Sequence, residues 1–132
     1  MIFMEQHPAK QFFIQKWNDK KHKIHCQAVI DTCIGVIKKT NINKDIFIVA
    51  GWIHDMGKLD NKKLHHEYSL SYLNEFLLLY PTFKELESVL IDCIQNHRTD
   101  GKPLTIEGKL FQIADKIALQ NTKWVSFLEK NN

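Results

Sequence analysis

Residues 46–58 read IFIVAGWIHDMGK. An unbroken apolar run leads directly into the pair His54-Asp55, and Gly57 and Lys58 follow at once. Strand propensity alone would allow a buried strand at Ile46–Val49, but the apolar run continues for four more residues, which favours a helix. The stretch therefore predicts a helix that ends at a His-Asp pair, followed by a glycine that permits a sharp turn and a lysine able to reach an anion.

Apolar residues recur at helical spacing on both sides of this stretch. The predicted long helices span His22–Lys39, Asn43–His54, His66–Leu79, Leu86–His97 and a segment from Thr105 onward, with short helices at Ala9–Trp17 and Trp124–Glu129. No segment shows convincing strand alternation. We therefore predict one all-α domain over residues 1–132, a bundle of about six to eight helices.

Two of these helices carry a charged or imidazole side chain within the face that we predict to point inward. In the first long helix that face is Ile24, Ala28, Val29, Thr32, Val36 and Ile37, with His25 on it. In the last it is Leu110, Ile113, Ala114 and Ile117, with Asp115 among them.

The composition is that of a single globular domain. The chain has 132 residues, 44% of them hydrophobic and 25% charged, which excludes wholesale disorder. The longest apolar run is far shorter than the roughly 20 residues that a membrane helix needs. Met1–Glu5 has no signal-peptide character. The cysteines Cys26, Cys33 and Cys93 show no C-x-x-C spacing, so we expect reduced thiols and a cytoplasmic location.

The charge balance does not indicate a nucleic-acid reader. The net charge is only +3, and Arg98 is the single arginine among 18 basic residues. The densest basic run, Lys20–Lys23, is typical of a solvated helix start. A mild positive excess is compatible with an anionic ligand.

Seven histidines in this length are unusual. Most of them, together with two aspartates, fall on inward faces or at helix ends. A lone histidine on an apolar face is more often a satisfied core residue, and a His-Asp dipeptide alone is common by chance. Several buried polar groups together, however, need partners, because each costs several kcal/mol when unpaired. A divalent cation at the centre of a helical bundle would satisfy them all at once.

The stretch Ala50–Lys58 resembles the signature of the HD-domain superfamily, metal-dependent phosphohydrolases with an all-helical fold. That pattern has a first His, the His-Asp pair and a distant Asp in an Ala-Asp-Lys context. This chain has His25, His54-Asp55 and Ala114–Ile117 in that order. The resemblance spans most of the chain.

Members with two metals add two histidines between the pair and the last Asp, and His65 and His97 match those places. His66 is a competing ligand. The family often has a small residue four positions after this histidine, and Ser69 lies four positions after His65 but only three after His66. The Gly-Tyr-Pro motif of the cyclic-di-GMP phosphodiesterase branch is absent, and Asn96 stands where that branch has a second histidine. We therefore do not assign that substrate.

The resemblance implies one or two divalent ions. The implied ligands are His25, His54, Asp55, His65, His97 and Asp115. Asp55 would bridge two ions, one held with His25, His54 and Asp115 and the other with His65 or His66 and His97. If only one ion binds, His65 and His97 could instead orient substrate or shuttle protons. Imidazole with carboxylate suits Mn, Fe, Co, Ni or Zn, with Mg as a partial substitute.

Asp55 and Lys58 are the predicted catalytic residues. Lys58 can place its ammonium against a phosphate oxygen, although a solvent-exposed loop lysine is an equally good interpretation. Arg98 and Lys102 are predicted to add substrate contacts, whereas Lys116 could point away from the pocket. Aromatic residues that could stack on a base are Trp52, Tyr68 and Tyr72, but such residues more often belong to the core.

The expected function is hydrolysis of a nucleotide phosphoester or phosphoanhydride by a metal-activated water. Two alternatives stay open, an HD-fold di-iron oxygenase related to myo-inositol oxygenase and a non-catalytic metal-binding HD module. The expected partner is a small-molecule phosphate substrate, in the first instance a nucleotide. A homodimer is left open, and neither a membrane nor sequence-specific nucleic acid is expected.

Overall fold

The computed structural model describes residues 6–131, apart from the side chains at positions 122 and 124–126. The expectation for Met1–Glu5 lies outside these residues. The α-helices are α1 (Pro8–Lys16), α2 (Lys20–Ile37), α3 (Lys44–Ile53), α4 (His65–Leu79), α5 (Glu87–Gln95) and α6 (Ile106–Lys130), with short 3-10 helices at Met56–Leu59 and Pro81–Leu86. The part described contains no strand, and the predicted all-α helical bundle is confirmed.

Side-chain caps fix where four of these helices begin, and at the start of α1 the His7 ring accepts from the backbone nitrogen of Ala9. The carboxylate of Asp19 accepts a hydrogen bond from the backbone N–H of His22 at the start of α2. Asn43 caps α3, and Thr105 caps α6. Each cap satisfies a backbone donor that would otherwise lack a partner.

Helix α3 lies at the centre of the bundle. Every residue from Ile46 to Ile53 is buried, and the helix packs against α1, α2 and α5. A helix surrounded on all sides needs no polar face, which explains why its sequence is continuously apolar. The strand alternative for Ile46–Val49 is wrong. The central position of α3 also sets its last turn, and the His-Asp pair that follows, deep inside the protein.

The inward face of α2 differs partly from the prediction. Ile24 and Val36 are 59% and 62% exposed. The buried side instead carries His25, Val29 and Ile37 together with Cys26, Ile30 and Cys33. The core-facing stripe is therefore rotated toward the cysteines, which behave as small apolar residues.

The inward face of α6 is also rotated from the prediction. Ile113 and Ile117 are 46% and 43% exposed. The buried residues described on this helix are Gly108, Phe111, Gln112, Ala114, Asp115 and Ala118. Small alanines let α6 lie close to α2, and Asp115 can then reach the interior. The separate short helix predicted at Trp124–Glu129 is wrong, because α6 continues without a break to Lys130.

The three cysteines are free and buried, in agreement with reduced thiols. Among the described residues, the helices are too short or too polar to span a lipid bilayer.

Candidate metal centre

The six side chains predicted as metal ligands meet at one point inside the bundle. They come from α2 (His25), the two residues that follow α3 (His54, Asp55), the start of α4 (His65), the turn after α5 (His97) and the middle of α6 (Asp115). Five of the six are buried, and His65 is half-buried. Packing of the helices thus brings together residues that are far apart in sequence.

One half of this cluster is built around the two aspartates. Oδ1 of Asp115 lies 2.8 Å from Nε2 of His25 and 3.2 Å from Nε2 of His54. Oδ2 of Asp55 lies 3.7 Å and 3.4 Å from the same two nitrogens. Two carboxylates therefore face one pair of imidazoles.

The other half lies on the opposite oxygen of Asp55. Oδ1 of Asp55 is 3.3 Å from Nε2 of His65 and 3.9 Å from Nε2 of His97. These two nitrogens are only 3.0 Å apart. The two oxygens of Asp55 thus face two different pairs of histidines.

Backbone carbonyls orient three of the four rings. In each, Nδ1–H donates to the carbonyl three residues earlier, so that Nε2 turns toward the cluster. These bonds join His54 to Gly51 (2.8 Å), His65 to Lys62 (3.0 Å) and His97 to Ile94 (2.6 Å). The Nε2 lone pairs of His65 and His97 then face each other, an arrangement that a cation between the rings would stabilise.

His25 is held differently. Its Nδ1 atom is buried and has no hydrogen-bond partner among the described residues. Its Nε2 atom contacts Asp115 and lies near Asp55. The cluster itself therefore supplies the polar partners of this ring.

The charges of the cluster favour a bound cation. Burial alone would raise the pKa of Asp55, but the nearby His54 and His65 hold it well below its usual range, and the pKa of Asp115 is also lowered. Burial lowers the pKa of His54, yet Asp55 and Asp115 outweigh it and raise that pKa to about 9. The pKa of His97 falls to about 4 through burial and the neighbouring His54. His54 thus carries a proton. A metal ion that bound to this ring would displace the proton.

The donor set fits a divalent metal. Three overlapping groups have ligand atoms within 4.8 Å of one another, namely His25 with His54 and Asp55, His54 with His97 and Asp115, and Asp55 with His65 and His97. Mixed imidazole and carboxylate ligands suit Mn, Fe, Co, Ni or Zn better than an all-oxygen cation such as Ca.

The structure separates His65 from His66. The ring of His66 points away from the cluster, with Nδ1 3.4 Å from Arg98 Nη1 and Nε2 3.9 Å from Glu67 Oε1. Ser69, one turn after His65, donates from Oγ to the carbonyl of His54. Only His65 belongs to the donor cluster.

Gly57 is required for a close approach of two chain segments. A Cβ atom at this position would meet the carbonyl oxygen of His65 at 2.2 Å and the backbone nitrogen of Ser69 at 2.6 Å. The glycine thus brings the His-Asp pair against the start of α4, and its φ is not positive. Its role is close packing rather than the sharp turn expected from the sequence.

Lys58 lies beside the cluster and is partly buried. Its Nζ atom is 3.6 Å from Oδ2 of Asp55 and 3.4 Å from Nε2 of His22. Sequence reasoning assigned His22 to a solvated basic run and missed this contact. The available signal was its position three residues before His25, which places both on one side of α2.

An open cavity of about 600 Å³ lies over the cluster. Besides Lys58 and five of the six cluster residues, its walls are Arg98, Thr99, Asp100 and Leu119. Lys102 is exposed and is not one of the wall residues. Neither Tyr68 nor Tyr72 lines it, and Trp52 is a core residue that packs on Phe13.

Asp92 is a buried carboxylate that sequence reasoning missed. It accepts hydrogen bonds from the backbone nitrogens of Leu104 and Thr105, from the Thr105 hydroxyl and from the Asn96 amide. These bonds tie α5 to the start of α6. Gly108 leaves room for them, since a Cβ there would meet Oδ2 of Asp92 at 2.2 Å.

One of the comparisons with known proteins found a match. The family model described as HD domain matches residues 23–119, a range that includes every residue of the donor cluster. Neither the curated proteins nor the solved structures contain a match to this chain.

Proposed function

The chain belongs to the HD domain family, and from that membership we propose that it is a metal-dependent phosphohydrolase acting on a nucleotide. The reaction would be hydrolysis of a phosphoester or phosphoanhydride bond. The substrate cavity would be the one above the donor cluster, where Lys58 and Arg98 provide positive charge.

The single observation that carries this proposal is the position of Asp55. Its Oδ2 faces the His25 and His54 side of the cluster, and its Oδ1 faces His65 and His97. Such a carboxylate is suited to bridge two cations, because each oxygen has its own set of imidazole neighbours. His25, His54 and Asp115 would complete one site, and His65 and His97 the other.

A divalent ion in this donor set would supply Lewis acidity and a water of lowered pKa. The protein's own groups would do the rest. Backbone carbonyls keep three of the four imidazoles oriented, so that little reorganisation of these rings is needed when substrate arrives. Lys58 would hold a non-bridging phosphate oxygen and offset negative charge as it develops. Arg98, which also lines the cavity, would contact a second oxygen or the leaving group.

The first test is the metal content of protein purified without chelator or an immobilised-metal column, measured by elemental mass spectrometry. We expect about two transition-metal ions per chain, as two-metal phosphohydrolase chemistry requires. The loaded protein should then release phosphate or a nucleoside from one or more members of a nucleotide panel. Asp100→Ala, which changes a wall residue outside the donor cluster, should keep its metal and serves as the matched control.

Three results would contradict the proposal. Protein that takes up no metal, even after incubation with Mn, would be an HD fold without its chemistry. Two irons with consumption of oxygen would identify the oxygenase alternative. Full metal loading without turnover of any nucleotide would leave a metal-binding module.

A further inference from the structure

A second cavity opens beside the first along α6. It has a volume of about 180 Å³ and shares part of its wall with the larger one. The shared residues are His97, Thr99, Asp115 and Leu119. Because the two spaces meet at the donor cluster, one ligand can extend from the cluster into the smaller cavity.

The other wall residues of this α6 cavity give it a positive charge. Lys109 and Lys116 lie two helical turns apart on the same side of α6, and Ile113 lies between them. Within residues 6–131 neither lysine has an ion-pair partner, and Nζ of Lys109 donates to the amide oxygen of Gln112 at 3.1 Å. The one acid in the wall, Asp115, is already bonded to two imidazoles. The cavity thus holds two cationic groups without a local counter-charge.

A third cavity, on the other side of the site, lacks this property. It has a volume of about 220 Å³ and shares Arg98 and Asp100 with the main cavity. There Nε of Arg98 lies 3.5 Å from Asp100, and His66 lies 3.9 Å from Glu67. Because the positive groups of this third cavity lie near acids, it attracts an anion less strongly than the α6 cavity does.

We propose that the α6 cavity binds a second phosphate group of the substrate. This inference rests on the proposed function, since the scissile phosphate would occupy the donor cluster while the second group lies between Lys109 and Lys116. The substrate class is then a nucleotide with at least two phosphate groups. Ile113 and Leu119 offer apolar contact to the part of the substrate that joins its two phosphate groups.

The binding site can be tested without turnover, by titrating the full chain with inorganic phosphate and following backbone amide signals by NMR. We expect shifts at residues 109–116 that are lost in the double variant Lys109→Gln/Lys116→Gln. Lys123→Gln is the matched control, because Lys123 continues the same seven-residue spacing on α6 and is exposed like Lys109 and Lys116, but lies outside the cavity wall. Shifts that are absent, or that Lys123→Gln reduces equally, would mean an adventitious ion only and would overturn the proposal.

The substrate class is tested by steady-state kinetics of the metal-loaded protein on AMP, ADP and adenosine 3′,5′-bisphosphate. At least one substrate with two phosphates should exceed AMP in kcat/KM by about ten-fold, and the double variant should remove that advantage while AMP turnover stays the same. The advantage should also weaken as salt rises.

The outcomes separate the two proposals. Equal use of all three nucleotides, or an advantage that survives in the double variant, would overturn the second-phosphate site while the hydrolase function stands. Turnover of none of them, with the phosphate shifts at residues 109–116 intact, would count against the proposed function but not against the anion site.

Discussion

Nε2 of His22 lies 3.4 Å from Nζ of Lys58. An ammonium group has no lone pair, so Lys58 is the donor and the imidazole accepts through Nε2. The proton of the neutral ring is then on Nδ1, which lies 2.6 Å from Oδ2 of Asp19. Burial lowers the pKa of His22, in keeping with a neutral ring. Asp19, His22 and Lys58 therefore form a chain that ends beside Asp55.

This chain predicts that His22 positions Lys58. His22→Ala should keep its metal but lower phosphate turnover about ten-fold, whereas Lys58→Ala should lower it about 10²-fold, because it removes the donor itself. The double variant should be no slower than Lys58→Ala, since the two residues act as one unit. Steady-state kinetics of the four proteins measures this coupling.

The control for His22 is another His-Asp pair. Nε2 of His7 lies 3.1 Å from Oδ1 of Asp45, near α1 and away from the cavity. His7→Ala should leave kcat unchanged in the folded protein. Additive losses in the His22 and Lys58 double variant would assign His22 a merely structural role.

Replacement of Asp55 should remove more metal than replacement of Asp115. Asp55→Ala should abolish both metal binding and activity, because it removes an oxygen from each half of the cluster. Asp115→Ala should lose the ion on the His25 and His54 side and retain the other. Elemental mass spectrometry gives the ratio of metal to protein. Full metal content in Asp55→Ala would refute the bridging role.

His65 and His66 form an internal pair of test and control. His65→Ala should reduce metal content, because its Nε2 lies 3.3 Å from Asp55. His66→Ala should keep full metal content, since its ring faces Arg98 and Glu67. Elemental mass spectrometry of both variants decides which histidine is the ligand. Loss of metal from His66→Ala but not from His65→Ala would contradict the geometry at the start of α4.

The hydrogen bonds of Asp92 should make stability depend on pH. Burial would raise the pKa of this carboxyl, but hydrogen bonds from Thr105, Leu104 and Asn96 outweigh it and lower the pKa. A pKa lowered by folding contributes stability that is present above the unfolded value, near 3.8, and is lost as the pH falls through the folded value.

Asp92→Asn should therefore lower the free energy of unfolding by about 1–3 kcal/mol at pH 7, because an NH2 donor replaces one of the two oxygens that accept from buried partners. The difference from the wild-type chain should begin to shrink below about pH 4, where the unfolded chain takes up a proton at Asp92, and should shrink further as the pH falls through the lower folded pKa. Urea denaturation at pH 7 and pH 3.5 measures it. Asp31→Asn, at an exposed carboxylate on α2, should change little at either pH. A deficit for Asp92→Asn that stays constant with pH would contradict this account.

The apolar periodicity of the sequence predicted the all-helical fold, and the resemblance to the HD-domain superfamily implied the six donor positions, with His65 and His66 left as alternatives. The sequence did not reveal which face of α6 is buried. Ile113 and Ile117 form as regular a stripe as Phe111, Ala114 and Ala118, and hydrophobicity favours the isoleucines. The smaller stripe is buried because α6 approaches α2 closely, and that contact depends on the whole packing arrangement.

Asp92 and His22 were missed for a related reason. Each acts through a partner far along the chain, Thr105 for one and Lys58 for the other. Local patterns describe a residue's own helix and cannot show which distant segment lies opposite. Gly57 is similar, because its need to be small arises from the carbonyl of His65.

His25 and Asp115 are 90 positions apart in the chain, yet their side chains meet at 2.8 Å. An unfolded chain cannot gather such distant donors, so an ion held by them would bind the native state almost exclusively. Mass action then links folding to metal supply, by about 2.7 kcal/mol when the free ion is at a hundred times its dissociation constant. Scarcity of the metal would therefore lower the fraction of chains that are folded.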